Sequence, residues 1–262
     1  MSCAMQTVMF HSTIFGPIHS RRLGVSLGIN LMPRDGKVCS FDFLYCEAGY
    51  NALGPGKAGL PSREEVRRLL EAKLEEMHAQ GAKLDVITFS GNGEPTLHPD
   101  FAGVVADTIS LRNRFYPEAK ISVLSNATRL DRPDVCDALR LVDNNILKLD
   151  SAIDDTVWLL DRPTSGMFSV ERVIEQISQF TGQCVVQTML VRGEHNGQRV
   201  DNTTPAELDA LVEAYRRILP RQIMIYSIDR PTPERSLTKV PREELELFAG
   251  RLRAEGFDVL VA

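Results

Sequence analysis

The chain has 262 residues, 43% of them hydrophobic and 25% charged, which are ordinary globular values with length enough for one large core. A formal net charge of −5 does not favour a nucleic acid partner, and no apolar run approaches the roughly 20 residues that span a bilayer. The five cysteines, Cys3, Cys39, Cys46, Cys136 and Cys184, form no dense disulfide framework, and no signal-peptide layout opens the sequence. These features read as a cytoplasmic protein with reduced thiols and no membrane partner.

In chain order, 24–31 (GVSLGINL) reads as a first strand, followed by a long loop through Cys39 and Cys46 to about Leu60. Connections of that length without regular structure tend to be functional or disordered. Ser62 is the expected N-cap of a helix, with Glu65 at the capping-box offset and Val66, Leu69, Leu70 and Leu74 on one face. Strands follow at 84–90, 120–128, 144–150, 184–191 and 222–228, with a last apolar run, FDVLV, near the end. Between them the periodicity predicts helices over 101–113, 131–140, 154–161, 169–180, 205–218 and 241–254.

Apolar strands alternating with amphipathic helices predict an α/β fold, a partial (β/α)6 barrel of parallel strands with outer helices. Six units are too few for a full barrel, and no glycine fingerprint follows the first strand as a dinucleotide fold requires. No repeat or low-complexity tract divides the chain, so we expect a single domain over 1–262 with an N-terminal arm over 1–23.

Barrels of this kind carry reactive groups at the carboxyl ends of their strands. At those predicted ends lie Cys39 and Cys46, Ser90 to Glu94, Ser125 and Asn126, Lys148 and Asp150, Gln187, and Ser227 to Arg230. Each alone reads equally as a cap or loop hydrogen bond, whereas six clusters at one rim suggest a site. In SGNGEPTLHP (90–99), Gly91 and Gly93 permit a sharp turn and close approach to a ligand; a plain strand-to-helix loop explains them as well. Two cysteines seven positions apart are, taken alone, a weak metal pattern.

The wording around them is more specific. FGPIHSRRLGVSLGINL, CSFDFLYC, FSGNGEPTLHP, LSNAT and YSIDRPTPE together resemble the radical S-adenosylmethionine superfamily, particularly its branch similar to wyosine-synthase-like iron–sulfur oxidoreductases. The resemblance runs from about Phe15 to the end. It implies a 4Fe–4S cluster held by three cysteines spaced C-x3-C-x2-C, S-adenosyl-L-methionine on the open iron, and reductive cleavage to a 5′-deoxyadenosyl radical that acts on a substrate. By position, Cys39 and Cys46 match the first and third metal ligands, and Tyr45 the aromatic position beside the adenine. Gly91, Asn92, Gly93 and Glu94 match the loop that meets the methionine amine, and Ser125 and Asn126 the polar strand end near the ribose or carboxylate. Lys148, Asp150 and Gln187 are further candidates for the same cofactor-binding pocket. Arg21 and Arg22 lie near substrate on this reading, or form a solvated basic pair.

The sequence departs from the pattern at one place: the second cysteine position is Phe43. Asp42 offers an oxygen donor in principle, while Cys136 and Cys184 are expected in the core and Cys3 far from the mouth. Three accounts stay open: an active member with a substitute ligand, a cluster-deficient and catalytically silent S-adenosylmethionine-binding or regulatory relative, and a substitution peculiar to this chain. An active member needs an electron donor such as flavodoxin or ferredoxin. Wyosine synthases carry further upstream cysteines, and only Cys3 lies upstream here, so the substrate, small or macromolecular, stays open.

Overall fold

The computed structural model describes residues 8–20 and 24–262; Cys3, Arg21 and Arg22 lie outside them. An opening hairpin of β1 (Ile14–Ser20) and β2 (Gly24–Ile29) is antiparallel, so part of the expected N-terminal arm is a sheet strand. The chain then runs through the cysteine loop into α1 (Arg63–Ala79), β3 (Val86–Phe89), α2 (Phe101–Phe115), β4 (Lys120–Ser125), α3 (Pro133–Leu141) and β5 (Asn144–Lys148). Next come α4 (Asp154–Leu160), α5 (Val170–Ser178) and β6 (Val185–Met189), then a hairpin of β7 (Val191–His195) and β8 (Gln198–Asp201). The rest is α6 (Pro205–Ile218), β9 (Gln222–Tyr226), β10 (Thr238–Lys239), α7 (Arg242–Ala254) and β11 (Val259–Val261).

The main sheet has the order β1-β2-β3-β4-β5-β6-β9-β11, parallel from β2 onward. Its edges, β1 and β11, are not neighbours, so the barrel is open. The outward face of the strands, with Leu27, Ile87, Val123, Leu147, Val186 and Ile225, packs against the helices in one core. The inner face is mixed: Ile146, Val185 and Met224 form a small apolar plug, while Ser26 and Thr88 hydrogen-bond each other at 2.8 Å. Above the plug an inner cavity of about 250 Å3 is lined by Ser90, Gln187, Glu47 and Arg230 among others.

A second sheet, β10-β7-β8, was not expected from the strand pattern. Its turn, Asn196-Gly197, has both residues at positive φ (49° and 78°), the conformation that a two-residue hairpin demands and that Asn-Gly supplies cheaply. The flanking residues are too polar for a rule that looks for apolar runs.

Helix α1 begins as predicted: the Ser62 hydroxyl accepts from the Glu65 amide at 3.2 Å, and Val66, Leu70, Leu74 and Met77 are buried along one face. Ser62→Ala should lower the unfolding free energy by about 0.5–2 kcal/mol in urea titration, and Ser62→Asp should retain most of it; equal midpoints for all three would show that the cap contributes nothing.

Candidate functional site

The carboxyl ends of the parallel strands are joined by one buried carboxylate. Glu94 is 2% exposed and accepts from the Thr96 amide (3.0 Å), the Thr96 hydroxyl (2.6 Å), the Ser125 hydroxyl (2.9 Å) and the Asn126 amide (2.7 Å). Burial pushes its pKa up, and these donors oppose that by holding the charged form. Its oxygens are thus spent on tying the loop after β3 to the end of β4.

That loop holds the cysteine segment by its backbone. The Val38 amide donates to the Asn92 carbonyl (3.1 Å) and the Glu94 amide to the Val38 carbonyl (3.0 Å), a short parallel bridge that flanks Gly93. A Cβ on Gly93 would stand 1.8 Å from the Val38 oxygen, and its φ is 145°. Gly91 is similar, with φ 151° and Asn30 Oδ1 at 2.5 Å from the would-be Cβ. Both glycines let two stretches of this chain approach each other. Asn92 is fully buried; its side chain pairs with both backbone groups of Phe10 at 2.9 Å and donates to the Pro33 carbonyl at 2.9 Å.

On its other side the cysteine loop is zipped to the end of α4. The Leu44 amide donates to the Leu160 carbonyl (3.0 Å), the Asp42 amide to the Asp161 carbonyl (3.0 Å) and the Thr164 amide to the Ser40 carbonyl (2.9 Å). Lys37, 3% exposed, donates to the Gly49 carbonyl at 2.7 Å and lies 3.6 Å from Asp42. Asp42 also accepts from the Asn51 amide (2.6 Å) and pairs with Arg162 (3.2 Å), so its carboxylate serves the loop's framework and not the thiols.

Cys39 lies against Asn126, whose Nδ2 is 3.7 Å from Sγ, and beside the Ser40 and Thr128 hydroxyls, which are 2.5 Å apart. Burial, then the nearby Glu94 charge, pushes the Cys39 thiol up to about 12, and the Cys46 sulfur adds to the rise. Phe43, between the two cysteines in sequence, is 8% exposed, edge-on to Phe41 and stacked on Tyr45 with centroids 5.1 Å away in each case. Cys136 and Cys184 are buried in the core, as expected. Among the described residues no group of three His, Cys, Asp or Glu is placed to hold a metal ion. Two thiols with an aromatic ring at the second position do not fit a cluster that draws three thiolates from one loop.

A second polar cluster lies beneath the ring. Lys148 Nζ is 4.9 Å from the Tyr226 centroid, 5.1 Å from that of Tyr45 and 5.7 Å from that of Phe43, a cation inside an aromatic cage. It donates to the Tyr226 hydroxyl at 2.7 Å and pairs with Asp150 at 3.1 Å. Burial works against its charge, but Asp150 and Tyr226 outweigh this and hold Lys148 above its usual range. Asp150 also accepts from the Tyr45 hydroxyl and from the Met189 amide (2.7 Å). Burial and the adjacent Asp150 push the Asp161 carboxyl up, with Lys148 opposing them. Gln187 faces the interior and accepts from the Tyr226 hydroxyl at 3.4 Å.

The residues singled out in the sequence therefore fall into two neighbouring groups. Glu94, Ser125, Asn126 and Cys39 form one, with Gly91, Asn92 and Gly93 as its backbone support. Tyr45, Lys148, Asp150 and Gln187 form the other, and Cys46 packs against the apolar cluster that contains Tyr45 and Phe43. The side chains of Asn92 and Glu94 are committed to the protein itself. Sequence reading missed Ser40, Thr128, Asp161 and Tyr226. Ser40, Thr128 and Tyr226 lie within the quoted CSFDFLYC, LSNAT and YSIDRPTPE without a role of their own, and Asp161 sits at a helix end where no local pattern marks it.

Comparison with known proteins agrees with this picture at the level of the fold. No family model matches the chain. A UPF0026 protein of Helicobacter pylori is 30% identical over 254 residues, covering 94% of this chain and 75% of that protein. The chain belongs to the UPF0026 family. A stretch of a protein called GTPase Obg from Brachyspira hyodysenteriae is 27% identical over 236 residues; this UPF0026 chain covers 89% of itself but only 32% of that relative. No G-x-x-x-x-G-K-S/T phosphate loop occurs in the chain, so the comparison carries no GTPase machinery here. Among solved structures, a radical SAM methyltransferase from Sphaerobacter thermophilus superposes with a TM-score of 0.67 at 17% identity, over 90% of this chain and 65% of that one. Streptococcus suis SuiB bound to S-adenosylmethionine gives 0.62 at 13%, over 90% and 50%. The fold is thus the α/β partial barrel of radical SAM enzymes.

If Gly93 exists for the Val38 bridge, Gly93→Ala should free the cysteine segment while the barrel stays folded. The alkylation rate of Cys39, followed by peptide mass spectrometry, should rise at least about tenfold as local opening becomes easier; an unchanged rate with an unchanged melting temperature would contradict that role.

Proposed function

We propose that this chain is a radical S-adenosylmethionine-type protein, whose barrel mouth binds S-adenosylmethionine and whose reaction class, once a third cluster ligand is supplied, is reductive cleavage of S-adenosylmethionine to a 5′-deoxyadenosyl radical. The observation that carries the reading is a preorganised loop bearing Cys39 and Cys46 over the carboxyl ends of a partial barrel, braced by the loop that contains Gly91 to Glu94. The radical SAM fold neighbours and the sequence motifs support it.

The donor set limits what the residues present can do. Cys39 and Cys46 supply soft thiolate ligands, and Phe43 supplies none. A complete three-thiolate site therefore requires one more donor, from outside the described residues or at position 43 itself. The surrounding residues have roles that do not depend on it. Asn126 and the Ser40–Thr128 hydroxyls present polar atoms beside Cys39, and the Lys148–Asp150–Tyr45 cluster closes the floor and shuts water out of the aromatic layer. The substrate class stays general, small-molecule or macromolecular, and a cytoplasmic setting with a flavodoxin- or ferredoxin-like electron donor belongs to the same proposal. Among the described residues no helix is long and apolar enough to cross a membrane.

Anaerobic iron–sulfur reconstitution of the wild type and of Phe43→Cys tests the proposal directly. Phe43→Cys should take up about four irons per chain, give the spectrum of a reduced 4Fe–4S cluster and cleave S-adenosylmethionine, with the wild type well below it in iron content. A variant that folds yet binds no cluster and cleaves nothing would overturn the assignment.

A further inference from the structure

Beside the barrel mouth, and sharing Cys39, Ser40 and Thr128 with the candidate site, a cavity of about 480 Å3 opens between the loop after β4 and the connection from α4 to α5. That is within the roughly 300–1,000 Å3 of small-molecule sites. It shares no lining residue with the inner cavity above the Ile146 plug, although Cys39 and Ser40 bring it against the back of the cysteine loop.

Two guanidinium groups line it. Arg129 has a buried Nε with no hydrogen-bond partner, and neither Arg129 nor Arg172 makes an ion pair among the described residues. Nearby arginines behave differently: Arg132 pairs with Asp134 at 2.5 Å, Arg140 with Asp137 at 2.9 Å and Arg217 with Glu171 at 2.5 Å. Ser169, the N-cap residue of α5, makes no capping bond with its side chain, so its hydroxyl is another donor at the same wall. Met167 and Phe168 supply an apolar side, with Met167 84% exposed at the rim. The one carboxylate in the lining, Asp131, makes no ion pair with either arginine among the described residues, which leaves the site a net positive charge.

We propose that this cavity binds a phosphate ester of about nucleotide size. Two forked guanidinium groups and a hydroxyl offer more donors than a carboxylate's two oxygens use, and they suit a phosphate with three terminal oxygens. The apolar side takes the rest of the ligand. Through Cys39 and Ser40, an occupant touches the cysteine loop from behind, so the site is separate from the barrel interior but adjacent to it.

Calorimetry on the whole chain with uridine 5′-monophosphate and inorganic phosphate as probes, and uridine as control, tests this. Both phosphates should bind and uridine should not. Arg129→Gln should weaken the nucleotide about tenfold, Arg172→Gln less, and Asp131→Asn should tighten it about two- to threefold by removing a like charge. Thermal melting confirms that each variant is folded, and the opposite sign of the Asp131→Asn effect separates charge recognition from simple disruption. Failure of both phosphate probes to bind the wild type, or unchanged affinity in Arg129→Gln and Asp131→Asn, would overturn the proposal. Stoichiometric displacement of the nucleotide by S-adenosylmethionine would also overturn it, since the cavity would then belong to the barrel-mouth site.

Discussion

The buried carboxylate of Glu94 is the constraint on which the site's shape depends. Taking a carboxylate out of water costs several kcal/mol, and each hydrogen bond to a charged group returns about 1.5–3 kcal/mol, so four such bonds roughly balance the cost. Glu94 therefore adds little net stability; what it fixes is geometry. Its acceptors hold Ser125 and Asn126 at the end of β4, and its own amide holds Val38, so the position of Cys39 follows from a single side chain.

The other side of the loop is fixed by packing. Phe43 lies between Phe41 and Tyr45 and over the Lys148 ammonium, in the apolar cluster that joins the cysteine loop to α4 and the second sheet. An aromatic ring at this position fills space and contributes cation–π attraction, where a thiolate would be an iron ligand. The loop thus has enough contacts of its own to keep its shape: a backbone bridge to Gly93, zipper bonds to Leu160 and Asp161, and an aromatic layer around Phe43. The two thiols sit in a loop whose second ligand position is occupied by a hydrocarbon.

Much of the barrel was legible because parallel strands and their covering helices have distinct periods, and the Ser62 cap and the core positions of Cys136 and Cys184 followed from simple rules. The β7–β8 hairpin was not, although Asn196-Gly197 marked it, because its strands are half-exposed and polar. In the site, residue types do not name their partners. Gly93 reads as a ligand-facing glycine and proves to make room for Val38; Asn92 and Glu94 read as cofactor contacts and spend their polar atoms on Phe10, Pro33, Thr96, Ser125 and Asn126. Apart from Thr96, two positions from Glu94, these partners lie about 30 to 80 positions away and leave no local trace. Asp161 and Tyr226 were missed for the same reason, since their significance comes only from Asp150 and Lys148 beside them.

The central claim is that the cysteine loop is held in place by this chain's own contacts, without a metal. Amide hydrogen exchange on chelator-treated protein measures that most directly. The amides of Val38, Asp42, Leu44 and Glu94, each hydrogen-bonded across the loop, should exchange far more slowly than unstructured peptide, at rates unchanged by added iron and sulfide. Exchange at unstructured rates in the metal-free protein, with protection appearing only when iron and sulfide are supplied, would contradict it.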